Sequence, residues 1–490
     1  MNASQPGLLI EPQHLDGKVY DGGWKCPSGQ AEAVSPGNGE RLGRVGLATA
    51  EDVEATAKSA RNAQAIWAAT PYDQRAAVLR KAASLAENHR EELAEWLVRE
   101  SGSTIPKAQF EVGMTIKVLY EASAMPSQAT GQVLPSEPGC LNIARRRPLG
   151  VVGVISPFNF PLYLAMRAVA PAVAVGNAVV LKPDPRTSIG GGHVIARLFE
   201  EAGLPVGVLA VLPGDGAAGG ALCDARDVAM VHFTGSTSAG RRVGETAGRN
   251  LKKVSLELGG KNSIIVLDDA DLDLAVKNAI WSTYLHQGQI CMSAGRILVQ
   301  ETISKAFVSK FTDHAATLTA GDPSAGTFAL GPLISHHQVE HAAKLVDAAV
   351  AAGADLKTGG THDGLFFAPT VLANVKSGNP AFHEEIFAPV AVITTFGTDE
   401  EAVSLANDTD YGLSAAIISR SVGRAFALGD RLKVGLLHIN DATVNDEVIN
   451  PFGGVGASGN GTSIGGPANW EEFTQWQWVT VKAEAPSYPL

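Results

Sequence analysis

An alternation of short apolar runs with helical segments after residue 150 constrains the fold most strongly. The runs VVGVI, AVVLK, VLAVL and MVHFT begin at residues 151, 178, 208 and 230, so they are 22 to 30 residues apart. Segments with helical spacing of apolar residues, such as GGGHVIARLFEEAGL, lie between them. Strands that alternate with helices at this interval form βαβ units in a parallel sheet. We therefore predict an α/β protein whose main sheet is parallel and of the nucleotide-binding type.

Other patterns flank this sheet. Residues 51–101 space their apolar side chains three and four apart, which predicts amphipathic helices. A second alternation begins at KVSLELGGKNSIIVLDD and continues to residue 440, which predicts a second α/β domain. The segment GQVLPSEPGCLNIARRRP is typical of a hairpin, and FTQWQWVTVKAEAP is typical of a strand. Exposed strands of this kind usually pair with another strand.

Composition limits the class of protein and its partners. At 490 residues the chain is long enough for two or three domains, and 45% hydrophobic with 18% charged residues is globular. With 39 basic and 50 acidic residues the net charge is -11, which argues against nucleic-acid and anionic-membrane partners. The cluster Arg145 to Arg147 lacks interleaved aromatic residues, so we expect a solvated strand end.

The uncharged stretch 149–166 is 18 residues long, but its centre contains two prolines, an asparagine and a serine. Such residues leave polar groups unpaired in lipid, so we expect a buried strand followed by a turn. The N-terminal residues lack a basic segment followed by an apolar one, so we expect no secretory signal. The four cysteines form no CxxC pair, which favours a reducing, cytoplasmic compartment. They are Cys26, Cys140, Cys223 and Cys291.

Two motifs are weaker than they look. The GxGxxG pattern at Gly214, Gly216 and Gly219 follows the third strand and lacks an acidic residue about 20 positions on, unlike a Rossmann fingerprint. The segment HHQVEH places His337 and His341 one helical turn apart, as in some zinc peptidases. No third ligand accompanies them, so we expect an ordinary amphipathic helix and no metal.

Four polar positions are candidates for chemistry. Cys291, in HQGQICMS, is either an inert cysteine or a nucleophile. Glu257, at the end of an apolar strand, is either a general base or one partner of a buried salt bridge. Asn159, in SPFNFP, is either a turn residue or an oxyanion donor. Ser236, after the strand HFT, either caps a helix or holds a pyrophosphate at the helix N-terminus.

Taken in order, SPFNFP, LKPDP, HFTGSTSAG, LELGGK, QGQIC, EEIFAPV, YGLSAA and PFGGVGASG resemble the NAD(P)-dependent aldehyde dehydrogenase superfamily over residues 35–479. The ordered set is specific, and Cys291 follows Glu257 by 34 residues, as in the family. The resemblance implies that a Cys291 thiolate attacks an aldehyde and that Asn159 holds the oxyanion. Hydride then passes to the nicotinamide, and water activated by Glu257 hydrolyses the thioester.

The resemblance also implies an architecture. A Rossmann-like dinucleotide domain would comprise residues 1–129, 149–256 and 441–468, and a catalytic domain residues 257–440. The hairpin at 130–148 and the C-terminal segment 469–490 would form a homodimer or homotetramer. The motifs carry over ten cofactor-binding positions, from the adenine pocket at Gly214 to the nicotinamide at Phe387. They are Ile155, Ser156, Pro157, Phe158, Lys182, Gly214, Gly235, Ser236, Glu385 and Phe387.

Three positions depart from the family pattern. Pro185 stands where a glutamate is common, three residues after Lys182, and Arg186 follows it. A carboxylate there would repel a 2′-phosphate, so its absence leaves NAD or NADP open. Ala388 replaces a usual glycine, and Val455 replaces a frequent lysine.

The segments YLHQGQICMS, HINDATVNDEVINPFGG and FTQWQW are similar to the benzaldehyde and vanillin dehydrogenase branch. We therefore expect an aromatic aldehyde as the small-molecule substrate. Aliphatic aldehydes and semialdehydes remain an alternative, as do a non-catalytic dinucleotide-binding protein and a cysteine hydrolase. By their offsets from Asn159 and Cys291, five residues are expected to line the substrate tunnel. They are Tyr163, Leu164, Arg167, Ile290 and Met292.

Overall fold

The structure of the protein is a computed structural model that describes residues 7–489. Residues 1–6 and 490 of the predicted terminal segments therefore lie outside the described part. The helices are Ala50–Ala69, Tyr72–Asn88, Arg90–Ser101, Ile105–Ala124, Pro161–Ala174, Val194–Ala202, Gly216–Asp224, Thr237–Arg249, Leu272–Tyr284, Glu301–Ala315, His336–Ala351, Pro380–His383, Asp399–Asn407, Val422–Gly429 and Ala468–Phe473.

A nine-stranded sheet confirms the predicted parallel core. Its four predicted strands pair in parallel, and three of them are buried along their whole length: Val151–Ile155, Ala178–Lys182 and Leu209–Val211. Parallel strands covered on both faces have continuous apolar sequences, which explains the runs in the sequence. In spatial order the strands are Lys253–Glu257, Val228–Thr234, Val151–Ile155, Ala178–Lys182, Leu209–Val211, Asp16–Asp21, Arg41–Leu47 and Gly29–Val34, with Trp24–Lys25 beside Asp16–Asp21.

The second α/β region has a seven-stranded sheet that is parallel except at one edge. We expected it to begin at KVSLE, but Lys253–Glu257 pairs with Val228–Thr234 and so belongs to the first sheet. The two glycines after Glu257 separate that strand from Asn262–Val266, where the second sheet begins. In spatial order its strands are Asp355–Thr358, Thr370–Ala373, Val390–Phe396, Ala294–Gln300, Asn262–Val266, Ser414–Ile418 and Leu436–Ile439.

A separate antiparallel sheet joins distant parts of the chain. The hairpin strands Gly131–Leu134 and Cys140–Pro148 pair with each other, and Thr474–Lys482 pairs with the second of them over nine residues. Both predicted elements, the hairpin and the C-terminal strand, are thus confirmed. Trp478 and Val133 are 72% and 74% exposed on this sheet, so much of its surface is apolar and uncovered. Two short pairs complete the strands: His362–Asp363 with Phe366–Phe367, and Tyr411–Gly412 with Val455–Gly456.

Side chains define several helix starts. Thr49 and Asp52 form a reciprocal capping box at the helix Ala50–Ala69. Asp215 accepts hydrogen bonds from the N–H groups of Ala217 and Ala218 at the start of the helix Gly216–Asp224. This carboxylate occupies the donors that a phosphate would need, so the GxGxxG segment is a capped helix start. Across residues 7–489, no helix combines the length and apolar character that crossing a membrane would require.

Candidate active site

Two cavities adjoin at Cys291. One, of about 380 Å³, lies at the carboxyl ends of the central strands of the first sheet, and we call it the sheet-edge cavity. The other, of about 340 Å³, is walled by aromatic residues, and we call it the aromatic cavity. Asn159, Leu164 and Cys291 line both. In open α/β sheets ligands bind at the carboxyl ends of the strands, so the sheet-edge cavity is where a dinucleotide is expected.

The loop that carries Cys291 is held in an unusual backbone conformation. His286, Gln287 and Gly288 have φ values of 50°, 58° and 71°, which lie in the left-handed region that side chains other than glycine rarely adopt. The Asn262 amide donates to the carbonyl oxygen of Cys291 at 2.7 Å. The strained loop before Cys291 and the hydrogen bond to its carbonyl oxygen together set the direction in which the cysteine side chain points.

The environment of Cys291 favours the neutral thiol. Burial raises the pKa of the thiol most, and the charges of Glu385, Glu257 and Asp446 raise it further. The N–H of Met292 opposes them. The other cysteines in the described part of the chain are also free thiols. A thiolate at Cys291 therefore requires a favourable interaction beyond those that the protein side chains supply.

Asn159 lies just beyond the strand Val151–Ile155 and is almost fully buried. Its side-chain Nδ2 donates to the carbonyl oxygen of Gln289 at 2.8 Å, while its Oδ1 has no hydrogen-bond partner among the described residues. An amide nitrogen has two hydrogens, so one remains for another acceptor. Asn159 therefore has a free donor in the wall that both cavities share.

Glu257 is the last residue of its strand and is 3% exposed. Burial raises the pKa of its carboxyl well above the ordinary value, and the charge of Arg167 opposes the rise. Neither carboxyl oxygen has a hydrogen-bond or salt-bridge partner within residues 7–489. The buried salt bridge that we kept as an alternative is therefore absent there. Glu257 does not line either cavity, but its charge is near enough to raise the pKa of Cys291.

Nine of the ten predicted cofactor-binding residues line the sheet-edge cavity. Ser236 caps the helix Thr237–Arg249 by accepting from the N–H of Ala239. Ser156 Oγ is buried and has no hydrogen-bond partner among the described residues. An unpartnered hydroxyl, a lysine at position 182 and a helix N-terminus suit the ribose and phosphate groups of a dinucleotide. The residues present therefore fit such a cofactor.

The acidic end of the sheet-edge cavity is formed by Glu385. Its Oε1 accepts from the N–H of Gly260 at 2.9 Å, and burial raises the pKa of the carboxyl to about 7. Phe387, two residues on, has a φ of 55° and contacts the ring of Phe158 edge-on at 6.0 Å between centroids. His341, from the HHQVEH helix, lies 3.2 Å from the carbonyl oxygen of Glu385. The helix His336–Ala351, which contains the HHQVEH segment, thus packs against the sheet-edge cavity.

An ion pair stands beside Pro185. Asp184 accepts from Nε and Nη2 of Arg186 at 2.8 and 2.7 Å, and both side chains line the sheet-edge cavity. The Arg186 guanidinium also lies over the ring of Phe158, 4.4 Å from its centroid. This arrangement presents a carboxylate and a guanidinium on either side of Pro185, the position at which a glutamate is common in the family.

Two predicted residues lie elsewhere. Gly214 does not line the sheet-edge cavity, because it precedes the helix that Asp215 caps and packs against Ala218. Arg167 does not line the aromatic cavity, because it lies one helical turn beyond Tyr163 and forms a buried ion pair with Asp446. The offset from Asn159 located the helix and its face correctly, but Arg167 lies one turn further along that face than the part that lines the cavity. Tyr163, Leu164, Ile290 and Met292 do line the aromatic cavity.

The sequence did not single out several residues that line these cavities. Lys107 and Asp446 lie in the wall of the aromatic cavity with Phe110, Trp281 and Phe452. Lys107 is buried and pairs with Glu111 at 2.6 Å. A charged pair four residues apart on the apolar side of a helix was a possible signal, because buried charges occur paired. Nothing local marks Asp446.

The sequence model of the aldehyde dehydrogenase family matches residues 24–479. The chain belongs to the aldehyde dehydrogenase family. This aldehyde dehydrogenase is therefore an enzyme, and its α/β fold with a separate antiparallel sheet is the family fold. Within its described residues, no group of three or more His, Cys, Asp or Glu side chains is placed to hold a metal ion.

Relatives with known names resemble this aldehyde dehydrogenase along almost its whole length. It is 50% identical to a vanillin dehydrogenase of Amycolatopsis sp., over 98% of this chain and 100% of that protein. It is 47% identical to a benzaldehyde dehydrogenase [NAD(+)] of Pseudomonas putida, over 97% and 98%. A betaine aldehyde dehydrogenase of Staphylococcus aureus, solved in complex with NAD+, superposes with a TM-score of 0.94 at 31% identity, over 97% and 96%.

Proposed function

We propose that this enzyme oxidises aromatic aldehydes to carboxylic acids with NAD or NADP, through a covalent intermediate on Cys291. The observation that carries the proposal is the position of Cys291 and Asn159, which line both the aromatic cavity and the sheet-edge cavity. An aldehyde in the first cavity would meet the thiol from one side. A nicotinamide ring in the second would approach the same carbon from the other.

Three side chains carry the chemistry in this proposal. The Cys291 thiol gives up its proton to solvent, its sulfur forms a bond to the aldehyde carbon, and the carbonyl π electrons move to the oxygen, which becomes an oxyanion. The free hydrogen of Asn159 Nδ2 and the N–H of Cys291 donate to that oxygen. Glu257 then removes a proton from the water that hydrolyses the thioester, which releases the acid and restores the thiol. When bound, the dinucleotide supplies the hydride acceptor.

The choice of residues for the cofactor rests on the sheet-edge cavity. We assign the adenosine ribose to Lys182, the pyrophosphate to the helix N-terminus at Ser236, and the nicotinamide ribose to Glu385. Ile155 to Phe158, Gly235 and Phe387 border the same path. The NAD+ complex of the betaine aldehyde dehydrogenase and the name of the Pseudomonas putida relative support NAD. The Arg186 guanidinium supports NADP as well.

The substrate class rests on the aromatic cavity and on the relatives. Phe110, Phe160, Trp281 and Phe452 give it flat apolar walls, which suit an aromatic ring. The names of the Amycolatopsis and Pseudomonas putida relatives described above refer to vanillin and benzaldehyde. Aliphatic aldehydes would leave much of these walls uncovered, so we favour aromatic ones.

Purified protein tests the proposal. We expect benzaldehyde and vanillin to reduce NAD or NADP, measured by the absorbance of the reduced nicotinamide, with kcat/KM higher than for aliphatic aldehydes and semialdehydes of similar size. Equal or higher kcat/KM for the aliphatic set would refute the aromatic assignment. No reduction with any aldehyde, although the dinucleotide binds in calorimetry, would refute aldehyde oxidation itself.

The division of the chain and its assembly are part of the same proposal. We assign residues 1–129, 149–256 and 441–468 to the dinucleotide domain, 257–440 to the catalytic domain, and 130–148 with 469–490 to a homo-oligomer interface. The exposed apolar surface of the antiparallel sheet, including Trp478, supports the interface. Four free cysteines support a cytoplasmic location.

A further inference from the structure

Asp446 is a carboxylate in the wall of an otherwise mainly apolar cavity. All of its side-chain hydrogen bonds within the described residues use one oxygen, Oδ2. Tyr163 donates its hydroxyl to Oδ2 at 2.8 Å, and Arg167 forms an ion pair with the same oxygen. Arg167 also donates to the Tyr163 hydroxyl at 2.8 Å, which closes the group. The other oxygen, Oδ1, has no such partner, although the side chain is only 9% exposed.

Among the other polar residues of the wall, Asn159 and Cys291 belong to the proposed chemistry, and Asn278 and Asn445 are neutral amides that donate to Leu274 and Asp441. Lys107 lines the same cavity, but its three hydrogens are used by Ser103, Glu111 and the carbonyl oxygen of Asn159. Lys277 and Asp441 also line it, but both are exposed to solvent. Oδ1 therefore opens into the cavity as an unpartnered acceptor, and in mainly apolar surroundings such an acceptor favours a ligand that donates a hydrogen bond to it. Asp446 Oδ1 is therefore poised to accept a hydrogen bond from a molecule that fills the cavity.

The net charge of the Asp446 and Arg167 ion pair decides what kind of hydrogen-bond donor fits beside Oδ1. Arg167 is 2% exposed and balances the Asp446 carboxylate, so the pair has no net charge. An ammonium group would bring an uncompensated charge into the cavity, which is costly away from water. A neutral hydroxyl can donate to Oδ1 without that cost. The aromatic walls favour a hydroxyl that is carried by a flat ring.

We infer that Asp446 Oδ1 accepts a hydrogen bond from a ring hydroxyl of the substrate, so that the enzyme prefers hydroxylated aromatic aldehydes. The inference rests on the proposed function and adds a specificity-determining residue to it. Tyr163 and Arg167 act as positioning residues, because they hold Oδ2 and thereby direct Oδ1. A hydrogen bond to a charged acceptor corresponds to a preference of at least about tenfold in kcat/KM.

Matched substrates test the inference on the unaltered enzyme. For each ring position we compare hydroxy-, methoxy- and methylbenzaldehyde with benzaldehyde, below the pKa of the phenol. Methoxy matches the electron donation of hydroxy, and methyl matches its size, but neither donates a hydrogen bond. At one ring position at least, we expect kcat/KM of the hydroxy compound to exceed both others by about tenfold or more. Equal values at every position would overturn the inference, while turnover of benzaldehyde would leave the proposed function intact.

The variant Asp446→Asn should remove the preference for hydroxylated over methoxylated aldehydes. Its amide oxygen can keep the contacts to Tyr163 and Arg167, which places an NH2 donor where Oδ1 was. We expect the hydroxy-to-methoxy ratio of kcat/KM to fall at least about tenfold, because the NH2 accepts nothing from a hydroxyl hydrogen. Asp430→Asn, an exposed carboxylate after the helix Val422–Gly429 that lines neither cavity, is the matched control and should keep the wild-type ratio. An unchanged ratio in Asp446→Asn would overturn the inference.

The Asn substitution weakens a buried ion pair, so folding is checked by thermal unfolding and dinucleotide binding. If the variant does not fold, inhibition of the unaltered enzyme decides. Hydroxybenzyl alcohol should then compete with benzaldehyde about tenfold better than methylbenzyl alcohol of the same ring position. Equal inhibition by the two alcohols at every ring position would overturn the inference without any variant.

Discussion

Lys107 Nζ donates a hydrogen bond to the main-chain oxygen of Asn159 across 2.6 Å. The same ammonium pairs with Glu111 at 2.6 Å, and both side chains are fully buried. Glu111 in turn accepts from the N–H groups of Leu162 and Tyr163 at 2.9 and 3.1 Å. One ion pair on a neighbouring helix therefore holds the backbone at Asn159, the proposed oxyanion donor, and at the start of the helix that follows it.

Replacing Lys107 tests this positioning. In Lys107→Met we expect kcat to fall at least about tenfold, because small displacements of a catalytic group are costly, while dinucleotide affinity stays the same. Loss of one partner of a buried ion pair should also lower the free energy of unfolding by about 3–5 kcal/mol. Lys117→Met, on the exposed side of the same helix, is the control and should change neither quantity much. A wild-type kcat in folded Lys107→Met would contradict the role.

Replacing the proposed nucleophile separates chemistry from binding. Cys291→Ala should show no aldehyde oxidation, because no thioester can form, yet should bind the dinucleotide with unchanged affinity in calorimetry. Cys26→Ala removes an exposed thiol and should retain full activity. Oxidation by the Cys291 variant at more than a trace of the wild-type rate would exclude the covalent route.

The rate should rise with pH above neutrality. The pKa of the Cys291 thiol and that of the Glu257 carboxyl are both raised, chiefly by burial, and each group is reactive only when deprotonated. Raising the pH through those pKa values therefore increases the reactive fraction, as a profile of kcat/KM and kcat against pH would reveal. A rate that falls steadily from about pH 6 to about pH 9 would be incompatible with both assignments.

Glu257→Gln addresses hydrolysis alone. An amide cannot accept the proton of water, so we expect a rapid burst of reduced dinucleotide followed by steady turnover at least about 100-fold slower. Stopped-flow absorbance measures both phases. If the burst is lost as well, Glu257 acts before the thioester forms, and its assigned step is wrong. Glu245→Gln, an exposed carboxylate in the second half of the helix Thr237–Arg249 that lines neither cavity, is the control.

The Asp184 and Arg186 pair should affect the two dinucleotides differently. Arg186→Ala removes the guanidinium that a 2′-phosphate would contact, so NADP should bind at least about tenfold more weakly in calorimetry, and NAD little differently. Arg249→Ala, an exposed arginine at a helix end, is the control. Equal weakening of both dinucleotides would mean that Arg186 supports the cavity wall through its contact with Phe158.

The antiparallel sheet gives a prediction about assembly. Trp478→Lys places a charge on the exposed apolar surface of that sheet, so the proposed homo-oligomer should dissociate to a smaller species in light scattering. Val422→Lys, at a position that is 57% exposed elsewhere, should leave the mass unchanged. If the Trp478 variant keeps the wild-type mass, another surface forms the interface.

The sequence could predict features that leave a local pattern, but not contacts between residues that are far apart in the chain. The strand Val151–Ile155 was predictable because every residue in it is buried, which leaves a continuous apolar run. The contact between Lys107 and Asn159 was not, because 52 residues separate them and either could face another neighbour. Asp446 and Tyr163 are 283 positions apart, so their hydrogen bond has no local signature. The burial of Glu257 was foreseeable, but the lack of a hydrogen-bond or salt-bridge partner for its carboxyl within residues 7–489 was not.

The two cavities share Asn159, Leu164 and Cys291, and their remaining walls are formed by different side chains. Substitutions at Phe110 or Trp281 can therefore reshape the aldehyde side without touching the groups that hold the dinucleotide. Natural or engineered substitutions can therefore change which aldehydes such an enzyme accepts while its dinucleotide site stays the same.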